Sequence, residues 1–161
     1  MVSDSGHRDF GETTQVASFP LDDSSELVFY IWEKSGKRYG GMRKWVALGE
    51  YFGPSKAGIV VNSTVLREII DVLDEVTGII TAELPKEGTV SGRIRKNKTT
   101  EVVVSFVEST STADSVMLDI REFVESDRYT GPTKKGIRLP CDCIGLVRDH
   151  LAKLDERLQT S

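Results

Sequence analysis

The chain has 161 residues, of which 39% are apolar and 29% charged, and its formal net charge is −4. That composition belongs to a globular protein and excludes a disulfide scaffold, a low-complexity polymer and, with no run of eighteen apolar residues, a membrane-spanning helix. The net acidity argues against a generic polyanion binder, so any such activity has to rest on one face.

In chain order, residues 1–12 are polar, with no apolar h-region and no Arg-rich amphipathic pattern, and read as a flexible tail. Glu12 to Leu21 is a weakly alternating strand, and Asp22-Asp23-Ser24-Ser25 is turn chemistry. Leu27 to Trp32, β-branched and aromatic, is a second strand that Lys34-Ser35-Gly36-Lys37 turns back. Arg38 to Leu48 is a third, in which Gly40-Gly41 signals a bulge or a close backbone approach. Gly53-Pro54 opens a fourth, ending at Val61. Asn62-Ser63-Thr64 supplies an N-cap, and Leu66, Ile69, Ile70, Leu73 and Val76 then recur at helical spacing up to Gly78, which reads as a C-terminal stop. Residues 84–88 form a connector. Strands follow at Thr89–Lys96, Thr100–Glu108, Ser115–Val124 and Lys134–Leu139, and Pro140 leads into a helix over Ile144–Leu158.

One stretch is written twice. Gly131-Pro132-Thr133-Lys134-Lys135-Gly136-Ile137 repeats Gly53-Pro54-Ser55-Lys56-Ala57-Gly58-Ile59 at an offset of 78, with five of seven residues identical. The same offset puts Arg43 on Arg121, Trp45 on Phe123, and the apolar stripe of the first helix on that of the second. Landmarks matching across strand, loop and helix mark a duplicated unit. The fold class that follows is α+β: two tandem ββββα units, residues 13–83 and 89–161, each a four-stranded antiparallel sheet with one C-terminal helix. Together they would form an intramolecular pseudo-dimer. A helix on one face of each sheet leaves the other to solvent or ligand.

Alternation along the strands then assigns faces. Arg93 and Arg95 share one, with Ile94 on the other; Tyr30, Trp32 and Lys34 stand together opposite Phe29 and Ile31. Arg43 pairs with Trp45, and Arg121 with Phe123. Cations to track phosphates and flat rings for unstacked bases are what a single-strand binder requires. The same residues also have an ordinary reading as core aromatics, solvated loop lysines and arginines paired with Glu33, Glu122 or Asp119.

Asp119-Ile120-Arg121-Glu122-Phe123, followed by Pro132-Thr133-Lys134-Lys135-Gly136-Ile137 and a helix, resembles the single-stranded-DNA-binding domain of the positive cofactor four family of RNA polymerase II transcriptional coactivators. Both the Ile-Arg-Glu-aromatic strand and the Pro-x-Lys/Arg-Lys-Gly-Ile strand of that family match in the second copy. The first copy keeps the latter and reads Met42-Arg43-Lys44-Trp45 for the former. The ββββα repeats are also similar to those of the Pur-alpha family, the second choice. The resemblance implies a coactivator-like fold and nucleic-acid contacts at Lys37, Arg43, Lys56, Arg121, Lys134 and Lys135. Val46 and Val124 stand where the family stacks an aromatic, and Ala57 replaces a lysine.

The sequence reading is therefore a single-stranded nucleic-acid binder, preferring DNA, in transcription, replication or repair. Its contacts would be Trp32, Lys34, Lys37, Arg43, Trp45, Lys56, Arg93, Arg95, Arg121, Phe123, Lys134 and Lys135. RNA remains open as the ligand, since no residue marks a 2′-hydroxyl contact. The alternative is a protein-interaction adaptor of the same fold without nucleic-acid binding. Partners implied are single-stranded DNA, transcription or replication proteins and further homodimerisation, with no membrane. The implied compartment is the nucleus of a eukaryotic cell and otherwise the cytoplasm. Cys141 and Cys143 are too close together to staple distant segments, which suggests a reducing compartment. With His7 and His150 apart they make no zinc site, so neither metal nor other cofactor is expected. No nucleophile elbow, phosphate loop or carboxylate pair points to an enzyme.

Overall fold

The computed structural model describes residues 11–80, 86–108 and 116–160. Most of the tail and part of the connector lie outside the described residues, as does most of the loop after Glu108. Strands β1 (Glu12–Asp22), β2 (Ser25–Lys34), β3 (Lys37–Leu48) and β4 (Tyr51–Val61) lead into helix α1 (Ser63–Ile80). Strands β5 (Val90–Arg95), β6 (Thr100–Glu108), β7 (Val116–Glu125) and β8 (Thr130–Pro140) lead through a 3-10 turn at Cys141–Cys143 into α2 (Ile144–Gln159). Each group of four strands is an antiparallel meander, β1-β2-β3-β4 and β5-β6-β7-β8. Two four-stranded sheets, each followed by a helix, are consistent with two tandem ββββα units.

The expectation of a pseudo-dimer of units, each closed by its own helix, has to be corrected. Helix α2 lies across β1, β2 and β3 of the first sheet, and α1 runs along β5 of the second while keeping a smaller contact with β3 of the first. His150 of α2 meets the rings of Phe19 and Phe29, with centroids 5.4 and 5.1 Å away. Arg38, at the start of β3, donates to the carbonyls of Arg157, Leu158 and Thr160 at the end of α2. In the other direction Val72 of α1 lies over Gly92 of β5, so closely that a Cβ there would stand 2.6 Å from its methyl. The helices are thus exchanged between the halves, and one core runs through both: Phe29, Ile31 and Met42 join Leu66 and Leu73, Phe106 and Ile120, Val147 and Leu154. The physical reason is area. A four-stranded sheet has a wider apolar face than one helix covers, and two antiparallel helices packed side by side over both sheets leave less of it wet.

The helices are tied to each other by Arg148 with Asp74 (2.6 Å) and Arg67 with Asp155 (3.4 Å). Both pairs are exposed and add little to stability. The first helix begins as its cap predicts, with Asn62 Oδ1 accepting from the Val65 N–H at 2.9 Å. It does not stop at Gly78: the helix continues to Ile80, and Gly78 has no positive φ. Gly78, in helical conformation, is therefore not a left-handed cap but a weak helix residue. Gly40 and Gly41 are close approaches on opposite faces of β3. Leu66, Leu154 and Leu158 crowd the first, and the Tyr30 ring lies over the second, where a Cβ would sit 2.5 Å from its Cζ. None of the described helices is long and apolar enough to cross a membrane.

Candidate nucleic-acid interface

The repeated Gly-Pro motif builds the same device twice. β3 and β4 shift register between Arg43 and Trp45, and β7 and β8 shift between Arg121 and Phe123. At this bulge proline gives up no ladder bond, having no N–H to donate. Arg43 donates to Ser55 O (3.0 Å) and Arg121 to Thr133 O (2.9 Å). The Ser55 and Thr133 hydroxyls return the bond to Lys44 O and Glu122 O at 2.8 and 3.0 Å. Gly58 and Gly136 lie under the arginines, where any Cβ would come within 2.9 Å of them. The motif therefore latches an arginine over a bulged hairpin, and most of its identity between copies is explained by that geometry alone.

Beyond the latch, the two open faces differ. On the second sheet the cations are met by carboxylates. Glu101 stands opposite Arg95 in the ladder and takes Arg93 at 3.4 Å and Arg95 at 3.2 Å. Asp119, buried, accepts from Arg121 Nε and Nη2 at 3.0–3.3 Å and from Arg138 at 3.4 Å. Phe123 stands beside them, half-buried, and Lys134 is exposed along the same face.

On the first sheet the residue corresponding to Asp119 is Gly41. Arg43 therefore has no carboxylate, and neither do Lys34, Lys37 or Lys56 among the described residues. A groove of about 750 Å³ runs along this face, floored by Val28 and Tyr30 and walled by Trp32, Arg43, Trp45 and Lys56. Aromatic pairs mark its two ends. Trp32 and Tyr39 have centroids 5.3 Å apart, with Lys34 Nζ 5.8 Å from the Trp32 ring. Trp45 and Phe52 are 5.7 Å apart, and Phe52 is exposed. Tyr39 and Trp45 lie six positions apart on β3, about 20 Å at the usual strand rise.

A second cleft of about 500 Å³ continues from the Trp32 end to the seam where β4 meets β8. Lys96 and Lys135 of the second half line it together with Trp32, Tyr39 and Arg43 of the first. Lys96 is anchored there by Val60 O at 3.4 Å and by the buried Glu122 at 2.6 Å. Adjacent lysines thus part company: Lys134 stays with the second sheet, and Lys135 joins the cleft at the end of the first sheet's groove. The structure brings Trp32, Lys34, Arg43, Trp45, Lys56 and Lys135 together along one surface. It leaves Arg93, Arg95, Arg121, Phe123 and Lys134 on another, and Lys37 exposed at the β2–β3 turn.

Tyr39 and Lys96, which line the second cleft, and Phe52, which packs against Trp45, are residues that strand patterning left aside. Alternation from Arg43 through Gly41 to Tyr39 was the available signal for the first. Phe52 and Lys96 needed the hairpin register and the seam. Burial pushes the Cys143 thiol up to about 11 and raises Cys141 as well, so neither is a ready nucleophile or ligand. No group of three metal-binding side chains is present among the described residues. Comparison with protein-family models and with characterised proteins finds no match to this sequence.

Proposed function

We propose that the protein binds single-stranded nucleic acid, DNA in preference, in the groove on the open face of its first sheet. The observation that carries this reading is the coincidence on one surface of two aromatic pairs with cations that no described carboxylate neutralises. Bases stack on Trp32, Tyr39, Trp45 and Phe52, and Arg43, Lys34, Lys56 and Lys135 hold phosphates. The motif resemblance to the positive cofactor four family supports the same reading, and the role proposed with it is in transcription, replication or repair, in the nucleus of a eukaryotic cell and otherwise in the cytoplasm. Because the arginines of the second sheet are already paired, one chain takes one strand.

Fluorescence anisotropy with a labelled oligonucleotide at several salt concentrations tests this. Four to five phosphate contacts give a log–log salt slope of about −3 to −3.5 for a single strand. A protein that binds duplex as well as single strand, or shows no salt dependence, does not have this function. A second reading, a protein-interaction adaptor, draws on the exposed Leu48, Tyr51 and Phe52 around the β3–β4 turn. Reversing Arg43 and Lys56 to glutamate separates the two: a strand binder loses its ligand, and an adaptor keeps its partner.

A further inference from the structure

The aromatic pair at the seam end of the groove is carried by a piece of sheet with little support of its own. Strand β4 pairs with β3 only from Gly40 onward, so Lys37, Arg38 and Tyr39 have a strand neighbour on the β2 side alone. Trp32 stands directly opposite Tyr39 in that ladder, and residues 33–37, which join the two, are all exposed. On the helix side, Leu66, Leu154 and Leu158 crowd Gly40. A strand end left this way opens locally unless something ties it down.

Arg38 supplies the tie. Two positions from Gly40, it falls on the helix side of β3, with Tyr39 on the groove side. Its Nη1 donates to Thr160 O at 2.9 Å and to Leu158 O at 3.4 Å, and its Nη2 to Arg157 O at 3.3 Å. Carbonyls at the end of a helix lack intrahelical donors, and the helix dipole favours a cation there. Glu33, opposite Arg38 in the ladder, faces its Nε at 3.7 Å. A planar fork of N–H groups can serve several carbonyls at once, which a lysine ammonium on its flexible stem does less well.

We infer that Arg38 is a positioning residue for the Trp32–Tyr39 pair, through which the exchanged helix α2 sets how firmly a strand is gripped; this rests on the nucleic-acid function proposed above. Arg38 lines neither the groove nor the cleft, so its effect on a ligand passes through the two rings. Those rings are a platform for a base only while their spacing, with centroids 5.3 Å apart, is kept. The last turn of the second unit's helix is thereby part of the support of the first sheet's site.

The test compares the full chain with Arg38→Gln and with Val147→Ala, which trims the core near the other end of α2. Arg38→Gln weakens binding of labelled oligothymidine on the order of fivefold, the lower end of what one stacked base is worth. The salt slope stays as it was, because no phosphate contact is lost. Val147→Ala lowers Tm and binds as the parent does. With Trp45→Phe in the background, the remaining tryptophan is Trp32; Arg38→Gln makes its fluorescence easier to quench with acrylamide, and Val147→Ala does not. Should Arg38→Gln fold poorly, Arg38→Lys gives a smaller change in the same direction. An Arg38→Gln protein that melts earlier yet binds as the parent, with Trp32 quenching unchanged, overturns the positioning role. A salt slope flattened by the share of one phosphate also overturns it, since Arg38 would then be a contact itself. Failure of the parent to bind any strand overturns the function instead, and the quenching comparison still reads the anchor.

Discussion

The contrast between the two latched arginines can be measured directly. Arg43→Gln and Arg121→Gln each remove one guanidinium-to-carbonyl bond, worth about 1 kcal/mol. Arg121→Gln also strips most of the hydrogen bonding from Asp119, a carboxylate whose side chain is 5% exposed and which keeps only the half-exposed Arg138 at 3.4 Å. Leaving a buried charge short of partners adds about 2–4 kcal/mol. At this chain length each kcal/mol lowers Tm by about 2–4 °C, so Arg121→Gln drops it by about 6–20 °C and Arg43→Gln by about 2–4 °C. Binding runs the other way. Arg43→Gln weakens the oligonucleotide about tenfold and flattens the salt slope by about 0.7, the share of one phosphate. Arg121→Gln, measured where it is still folded, binds as the parent does. Thermal melts and anisotropy on the same preparations decide it. If Arg121→Gln loses binding while Arg43→Gln keeps it, the assignment of the ligand to the first sheet is wrong.

Trp45→Ala weakens single-strand affinity by about 1–3 kcal/mol, the worth of one stacked base, with the salt slope unchanged. Anisotropy reads both quantities. Leu154→Ala costs about 2–5 kcal/mol, and because Leu154 joins the core shared by both sheets, circular dichroism and tryptophan fluorescence follow one melting transition. Two separate transitions would mean that the halves fold independently. His150 is packed against two phenyl rings, and its Nδ1 is buried without a partner. Burial, followed by the charge of Lys153, holds its pKa below the usual 6.5, and Asp149 opposes the shift. The imidazole is neutral in both states above the unfolded value. As pH falls through 6.5 and then through the lower folded value, the unfolded chain takes the proton first, so stability declines. Urea denaturation at pH 7.5 and 5.5 shows a larger loss for the parent than for His150→Leu. Equal losses would remove His150 from the account.

The faces of the strands were legible because alternation has a period of two whatever lies above the sheet. Arg93 and Arg95 fall on one side and Ile94 on the other for that reason alone. The apolar stripe of Val147, Leu151 and Leu154 was equally plain. A stripe declares that a helix face is buried, however, and is silent about which sheet buries it, so the exchange of α1 and α2 could not be read. Pairing of Glu101 with Arg95 depends on the β5–β6 register, which no local pattern specifies. Asp119 and Arg121 sit two apart on one strand, and their contact was within reach of the sequence. The latch was missed for a subtler reason: a binding motif and a bulge motif ask for the same glycines and the same arginine. The seam cleft needed β4, β7 and β8 to be placed at once.

The helix exchange sets an order of events during synthesis. Arg38 and the carbonyl of Leu158 are 120 residues apart, so a ribosome working at ~5–20 residues per second takes roughly 6–24 s between making one and making the other. Throughout that interval the apolar side of the first sheet is covered only in part, by α1 over β3. Closing such distant contacts is slow even for a finished chain. The nascent polypeptide is thus most exposed to aggregation just before its last helix emerges, and a chaperone would find its client there.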